Sequence, residues 1–189
     1  MLTTKLNFKK GLVILAMIPG IQFLTGRVIL ILMKHFHYTY SLEIRELGEL
    51  KLFIFDALFA LILAPIMEEL LFRVCVISSY QTFVGKMYGM IIGAILFGYM
   101  HATMSVRMRA IVMGIILGVI FLMTNDLLVC ILIHSGSNLV VTICACLSLY
   151  IQDEEVMSVA SSEIYVNSPI LVVSVLISLL SAAVLFKRC

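Results

Sequence analysis

Residues 85–101 read GKMYGMIIGAILFGYMH, with glycine at every fourth position from Gly85 to Gly93 and a histidine, His101, on the same step. They belong to an apolar run from residue 84 to about 104. As a helix, such a run is long enough to cross the roughly 30 Å hydrocarbon core of a bilayer. Small residues at this spacing let membrane helices approach closely. We therefore predict a membrane helix whose glycine row packs inside a bundle, in preference to a dimer contact.

The rest of the chain has the same apolar character. Of its 189 residues, 62% are hydrophobic and 13% are charged, and the mean hydropathy is +1.16. A soluble fold of this size buries only about 70% of its surface, too little to hide so much apolar area. This composition excludes a coiled coil, a disordered chain and a nucleic-acid binder. It favours an integral membrane protein with the lipid bilayer as its surroundings.

Apolar runs of membrane-spanning length recur along the chain, separated by polar segments. We expect an all-α, polytopic membrane bundle of about six transmembrane helices. Its predicted spans are residues 11–33, 52–80, 84–104, 108–124 and 127–150 and a last one that begins at Pro169.

The polar segments suggest three regions. Residues 1–51 hold the first transmembrane helix and a charged connector over 34–51, which we expect to be an interfacial helix. Residues 52–150 form the core, and residues 151–189 hold an acidic loop and the last transmembrane helix.

Ionisable side chains are costly in lipid, so those inside predicted spans are expected to be functional. Three of them, Glu68, Glu69 and Arg73, lie in the second span. Glu69 and Arg73 are four residues apart, so a helix brings them to one face where they can pair. Glu68 points roughly 100° away from Glu69 on a helix. We therefore expect Glu68 to address the bundle interior.

The third and fifth spans contribute His101 and a pair on one helix face, His134 and Asn138. His101 lies roughly 9 Å along a helix from one end of its span, and His134 roughly 12 Å from the opposite side of the membrane. In a core of about 30 Å these depths leave a gap of about 9 Å, which tilt or an early helix end would absorb. A shared site near the middle of the membrane is therefore expected.

Several known signatures of intramembrane proteases are absent from the sequence. It has no HExxH motif, no GxGD motif, and the segment Ser135-Gly136-Ser137 does not match GxSG. Three other motifs are present, one per helix and in this order: EExxxR from Glu68, FxxxH from Phe97 to His101, and HxxxN from His134. Over residues 52–150 the set resembles the CPBP family, the CAAX-processing and bacteriocin-processing proteases also called Abi.

The resemblance implies an intramembrane endopeptidase with its site inside the bundle. In such enzymes the residues matching Glu68 and His101 activate a water molecule, and those matching His134 and Asn138 stabilise the oxyanion. The match to Arg73 supports the two glutamates. The residues themselves agree, because peptide hydrolysis needs a general base and donors aimed at the developing oxyanion. We expect Phe97 to pack beneath His101.

The resemblance also suggests a setting and substrates. We expect a bacterial cell-membrane protein that cleaves short membrane-associated peptides or protein tails. The sequence does not decide whether prenylated proteins are among them. A non-catalytic membrane immunity or scaffold protein of the bacteriocin self-immunity type is the alternative. A proton-linked transporter is disfavoured because the sequence shows no internal repeats.

Two further mechanisms concern metal and thiol chemistry. Glu68, His101 and His134 could form a His₂Glu zinc set with water as the fourth ligand. No local HExxH pairing fixes that geometry, so we prefer a metal-free mechanism without a cofactor, with Zn²⁺ as the alternative. A thiolate pair between Cys130 and His134, four residues apart, is disfavoured.

Overall fold

The structure is a computed structural model that describes residues 8–35 and 55–151, with residues 176, 177, 180, 181 and 183. Every regular element in these ranges is helical, so the all-α prediction is confirmed. The charged connector from residue 36, the acidic loop after residue 151 and most of the last predicted span lie outside the described residues.

Five helices follow one another through the described ranges. They are α1 Phe8–His35, α2 over residues 55–79, α3 Phe83–Tyr99, α4 Met104–Thr124 and α5 Leu127–Ile151. These bounds agree closely with the first five predicted spans, with one important difference.

The third helix ends earlier than its apolar run suggests. It stops at Tyr99, and His101 lies in the turn that leads to α4. Thr103 caps α4 by accepting a hydrogen bond from the backbone N–H of Val106 at 3.4 Å. An early helix end is one of the two features expected to bring His101 and His134 to a similar depth.

Helix α2 is not a regular α-helix. It is π-helical over Phe59–Leu63, α-helical over Ala64–Glu69 and π-helical again over Leu70–Val76, and it closes with a 3₁₀ turn at Ile77–Ser79. π-helical segments are rare and occur often at functional sites. The two glutamates therefore lie in a short α-helical segment between two π-helical ones, an arrangement that the sequence pattern does not predict.

Helices α3 and α4 approach each other closely. A Cβ atom placed on Gly114 would lie 3.0 Å from Ala94 Cα, and one on Gly98 would lie 2.8 Å from the carbonyl oxygen of Arg107. The glycine row of α3 faces the other way, with a Cβ on Gly89 at 2.8 Å from the ring of Tyr80. Both contacts support packing inside the bundle.

Among the described residues, one helix is long and apolar enough to cross a membrane by length and composition. It is Met104–Thr124, with 21 residues and a mean hydropathy of 2.2. Three shorter apolar helical stretches accompany it, at Gly11–Gln22, Phe83–Tyr99 and Leu127–Ile143. The helical architecture is thus consistent with a membrane bundle, and the number of six spans stays a prediction.

Candidate active site

Glu69 and Arg73 form a buried ion pair on α2. Arg73 Nε donates to Glu69 Oε2 at 2.6 Å, and both side chains are at most 2% exposed. A second guanidinium nitrogen, Nη1, donates to the carbonyl oxygen of Gly114 at 3.2 Å. The pairing expected from the four-residue spacing is present, and it also ties α2 to α4.

His134 brings the two glutamates together. Its Nδ1 lies 2.9 Å from Glu69 Oε1, and its Nε2 lies 3.6 Å from Glu68 Oε2. The sequence predicts the pair of Glu69 with Arg73, but it does not predict that Glu69 also contacts His134. Glu69 is the deeper carboxylate, at 1% exposure against 24% for Glu68, because α5 places His134 directly on it.

The rings of the two histidines both pack against one aromatic side chain. The ring of Phe97 lies edge to face with His101 at 4.9 Å and with His134 at 5.7 Å between centroids. Phe72 packs against the same phenylalanine at 5.3 Å. Phe97 thus packs against His101 as expected, and it also separates the two imidazoles at a fixed spacing.

Hydrogen bonds to Nδ1 indicate the tautomer of each imidazole. His101 Nδ1 lies 2.8 Å from the carbonyl oxygen of Phe97, which can only accept. His134 Nδ1 faces the carboxylate of Glu69, which already accepts from Arg73. Both Nδ1 atoms therefore donate, which leaves Nε2 of His101 outside this bonding and turns Nε2 of His134 towards Glu68.

Arg107 is a residue of this site that the sequence interpretation missed. Its Nε donates to the carbonyl oxygen of His101 at 2.6 Å, and its guanidinium lies 5.7 Å from the ring centroid of Tyr99. Because Arg107 belongs to α4, this bond holds the turn that contains His101 against α4. In the sequence it stands out only as a charge near the end of an apolar run.

Asn138 makes a hydrogen bond that the sequence does not predict. Its Nδ2 donates to the carbonyl oxygen of Ala60 on α2 at 2.8 Å, one turn of α5 away from His134. The expected donor pair of His134 and Asn138 assumed that both side chains face the same empty space. The structure shows a backbone carbonyl of α2 accepting one hydrogen of the Asn138 NH₂ group, which has two, and the oxyanion role of Asn138 stays a prediction.

The zinc alternative stays a prediction. In residues 8–35 and 55–151, no three His, Cys, Asp or Glu side chains are placed to hold a metal ion. Cys130 is fully buried, and its Sγ donates to the carbonyl oxygen of Leu117 at 3.6 Å. A thiol that donates in the core is not the thiolate that the thiol mechanism requires.

The class of protein comes from comparison with known families. Residues 50–140 match the family model of the type II CAAX prenyl endopeptidases, the Rce1-like family. This confirms the resemblance to CAAX-processing proteases over the segment that holds all three motifs. No curated protein and no solved structure matches the chain.

The family is a protease family and therefore supports a peptidase at the general level. It implies a peptide or protein substrate at the membrane. Together with the apolar helices, it also indicates an integral membrane protein.

Proposed function

We propose that the protein is an intramembrane endopeptidase that cleaves short membrane-associated peptides or protein tails with a water molecule activated by Glu68 and His101. The observation that carries this proposal is the position of His134, whose two ring nitrogens face the two glutamates at 2.9 Å and 3.6 Å. This arrangement gives each carboxylate a different chemical role.

Glu68 is the general base. It is the more accessible of the two carboxylates, at 24% exposure, whereas Glu69 is enclosed by Arg73 and His134. Its Oε2 also lies 3.6 Å from Nε2 of His134. A base must reach both water and substrate, so the half-buried carboxylate suits the role and the fully paired one does not.

His134 supplies the oxyanion donor. In this role His134 donates from both ring nitrogens, from Nδ1 to Glu69 and from Nε2 to the oxyanion. With Nδ1 held by Glu69, the second proton sits on Nε2, on the side of Glu68 where a substrate carbonyl would lie.

The proposed reaction needs no group besides Glu68, His101, His134 and one water molecule. The water oxygen attacks the peptide carbonyl carbon as Glu68 takes a water proton, and Nε2–H of His134 stabilises the oxyanion. The free Nε2 of His101 holds the water. When the intermediate collapses, the C–N bond breaks and Glu68 returns its proton to the leaving nitrogen.

Cleavage assays in nanodiscs test the proposal, with prenylated and unprenylated fluorogenic tail peptides as probes. Glu68→Gln keeps the shape of the side chain and should abolish cleavage while the protein still accumulates. Asp56→Asn is the matched control, because Asp56 is an exposed carboxylate of the same helix. Full activity of Glu68→Gln would refute the assignment. A biological effect that survives without cleavage would favour the immunity or scaffold alternative.

A further inference from the structure

One backbone carbonyl of α2 loses its helical donors. In the π-helical segment Phe59–Leu63, the N–H of Ala64 bonds to the carbonyl oxygen of Phe59, five residues back. The same pattern would pair the carbonyl of Ala60 with the N–H of residue 65. That residue is Pro65, which has no N–H to give. The carbonyl of Ala60 therefore needs a donor from outside α2.

Asn138 is that donor. Its side-chain nitrogen lies 2.8 Å from Ala60 O, across 78 positions of sequence. The partner is a carbonyl, which can only accept, so the NH₂ group of Asn138 must be the side of the amide that faces it. Ala60 is half-buried, and a carbonyl out of reach of most water is less stable without a donor, so this bond replaces the one that the proline removes.

We propose that Asn138 is a positioning residue: its amide takes the place of the missing N–H of Pro65 and holds the π-helical segment that aims Glu68 at His134. The segment runs directly into Ala64–Glu69, which carries both glutamates. Each π-helical bulge adds one residue to a turn, so loss of this segment would rotate the glutamates by about 100° relative to α5. This inference rests on the proposed function and gives Asn138 a positioning role through one hydrogen of its NH₂ group.

A double-mutant cycle between positions 138 and 65 tests the inference. Asn138→Ala should lower kcat by about 10²-fold, the size of effect that a misplacement of about 1 Å produces, with KM little changed. It should also lower the melting temperature of the protein in detergent. Pro65→Ala restores an N–H that can bond to Ala60 O, so this variant alone should stay active and stable.

The double variant Asn138→Ala/Pro65→Ala should recover most of both losses. Equal loss of kcat in the two backgrounds would overturn the positioning role and favour a direct contact with substrate. A folded but inactive Pro65→Ala protein would also overturn it, because the bond to Ala60 would then not be what matters.

Two further measurements keep the inference testable by itself. If Pro65→Ala does not accumulate, Asn138→Leu in the original background is the test. A loss of kcat at an unchanged melting temperature would refute the role of the hydrogen bond between Asn138 and Ala60. If the unaltered protein cleaves no probe, the proposed function fails. The cycle in melting temperature would still show whether Asn138 and Pro65 are coupled.

Discussion

Glu69 Oε1 lies 2.9 Å from His134 Nδ1, although the two residues are 65 positions apart and belong to different helices, α2 and α5. The same carboxylate also accepts from Arg73 at 2.6 Å. Glu69 therefore neutralises a buried guanidinium and orients an imidazole at once. An arginine cannot lose its charge in such a site, so the carboxylate that accompanies it is held in place as a fixed acceptor for His134.

Single alanine substitutions of this pair should be strongly destabilising. Glu69→Ala leaves Arg73 buried without its counter-ion, and Arg73→Ala does the same to Glu69. Breaking a buried pair in this way costs about 3–5 kcal/mol. We expect low protein levels in the membrane for both variants, measured by quantitative immunoblotting.

The double variant Glu69→Ala/Arg73→Ala separates stability from activity. It removes both buried charges, so protein levels should partly recover. Activity should not recover, because His134 has then lost the acceptor of its Nδ1–H. Activity near the original level in the double variant would show that His134 needs no carboxylate partner. A stable but inactive Glu69→Ala protein would instead make Glu69 a candidate base.

Arg107 should control the turn that carries His101. Arg107→Lys removes the Nε–H that donates to the carbonyl oxygen of His101 and the planar group beside Tyr99. Hydrogen bonds from charged groups contribute about 1.5–3 kcal/mol, so kcat should fall by roughly 10- to 100-fold. Arg109→Lys is the control, because Arg109 lies on the same helix and the described contacts give it no bond to this turn. Equal kinetics in the two variants would contradict the role.

The length of the apolar runs in the sequence predicts much of this fold, because lipid imposes a simple rule. Every spanning segment must satisfy its backbone internally, so long apolar runs become helices, and the bounds of α1, α4 and α5 follow from composition. The pairing of Glu69 with Arg73 follows as well, because it depends only on a spacing of four residues.

The remaining contacts of the site are not encoded in local spacing. The bonds of His134 to Glu69 and of Asn138 to Ala60 depend on the rotation of α5 relative to α2. That rotation depends in turn on two π-helical segments, which have no periodic signature in the sequence. Pro65 is the one local sign of irregularity in α2, and its meaning appears only when the donor for Ala60 is identified.

Metal dependence can be tested directly. We expect activity to persist after dialysis against a chelator, because the proposed mechanism uses only a water molecule and the side chains of Glu68, His101 and His134. His134→Gln should keep a measurable remnant of activity, since a glutamine can still donate a hydrogen bond to the oxyanion. Metal analysis of the purified active protein is the check. Stoichiometric zinc that is lost together with activity on chelation would refute the metal-free mechanism.

The contact between α3 and α4 should be the part of the bundle most sensitive to a single methyl group. A Cβ on Gly114 would lie 3.0 Å from Ala94 Cα and 3.4 Å from the ring of Phe97. Backbone atoms cannot yield as a flexible side chain can, so Gly114→Ala should push the helices apart. Overpacking of this kind costs about 1–3 kcal/mol. The shift would also move the carbonyl of Gly114 away from Arg73 Nη1.

Gly26→Ala on α1 is the matched control for this substitution. A Cβ at Gly26 meets no atom within 4 Å, and both substitutions gain the same helix propensity of about 1 kcal/mol. The difference between their melting temperatures in detergent therefore isolates the packing effect. Gly26→Ala should be neutral or stabilising, whereas Gly114→Ala should melt lower and cleave more slowly, because Phe97 and Arg73 both touch the catalytic cluster. If Gly114→Ala melts as high as Gly26→Ala, the close approach of α3 and α4 is not what holds the site in place.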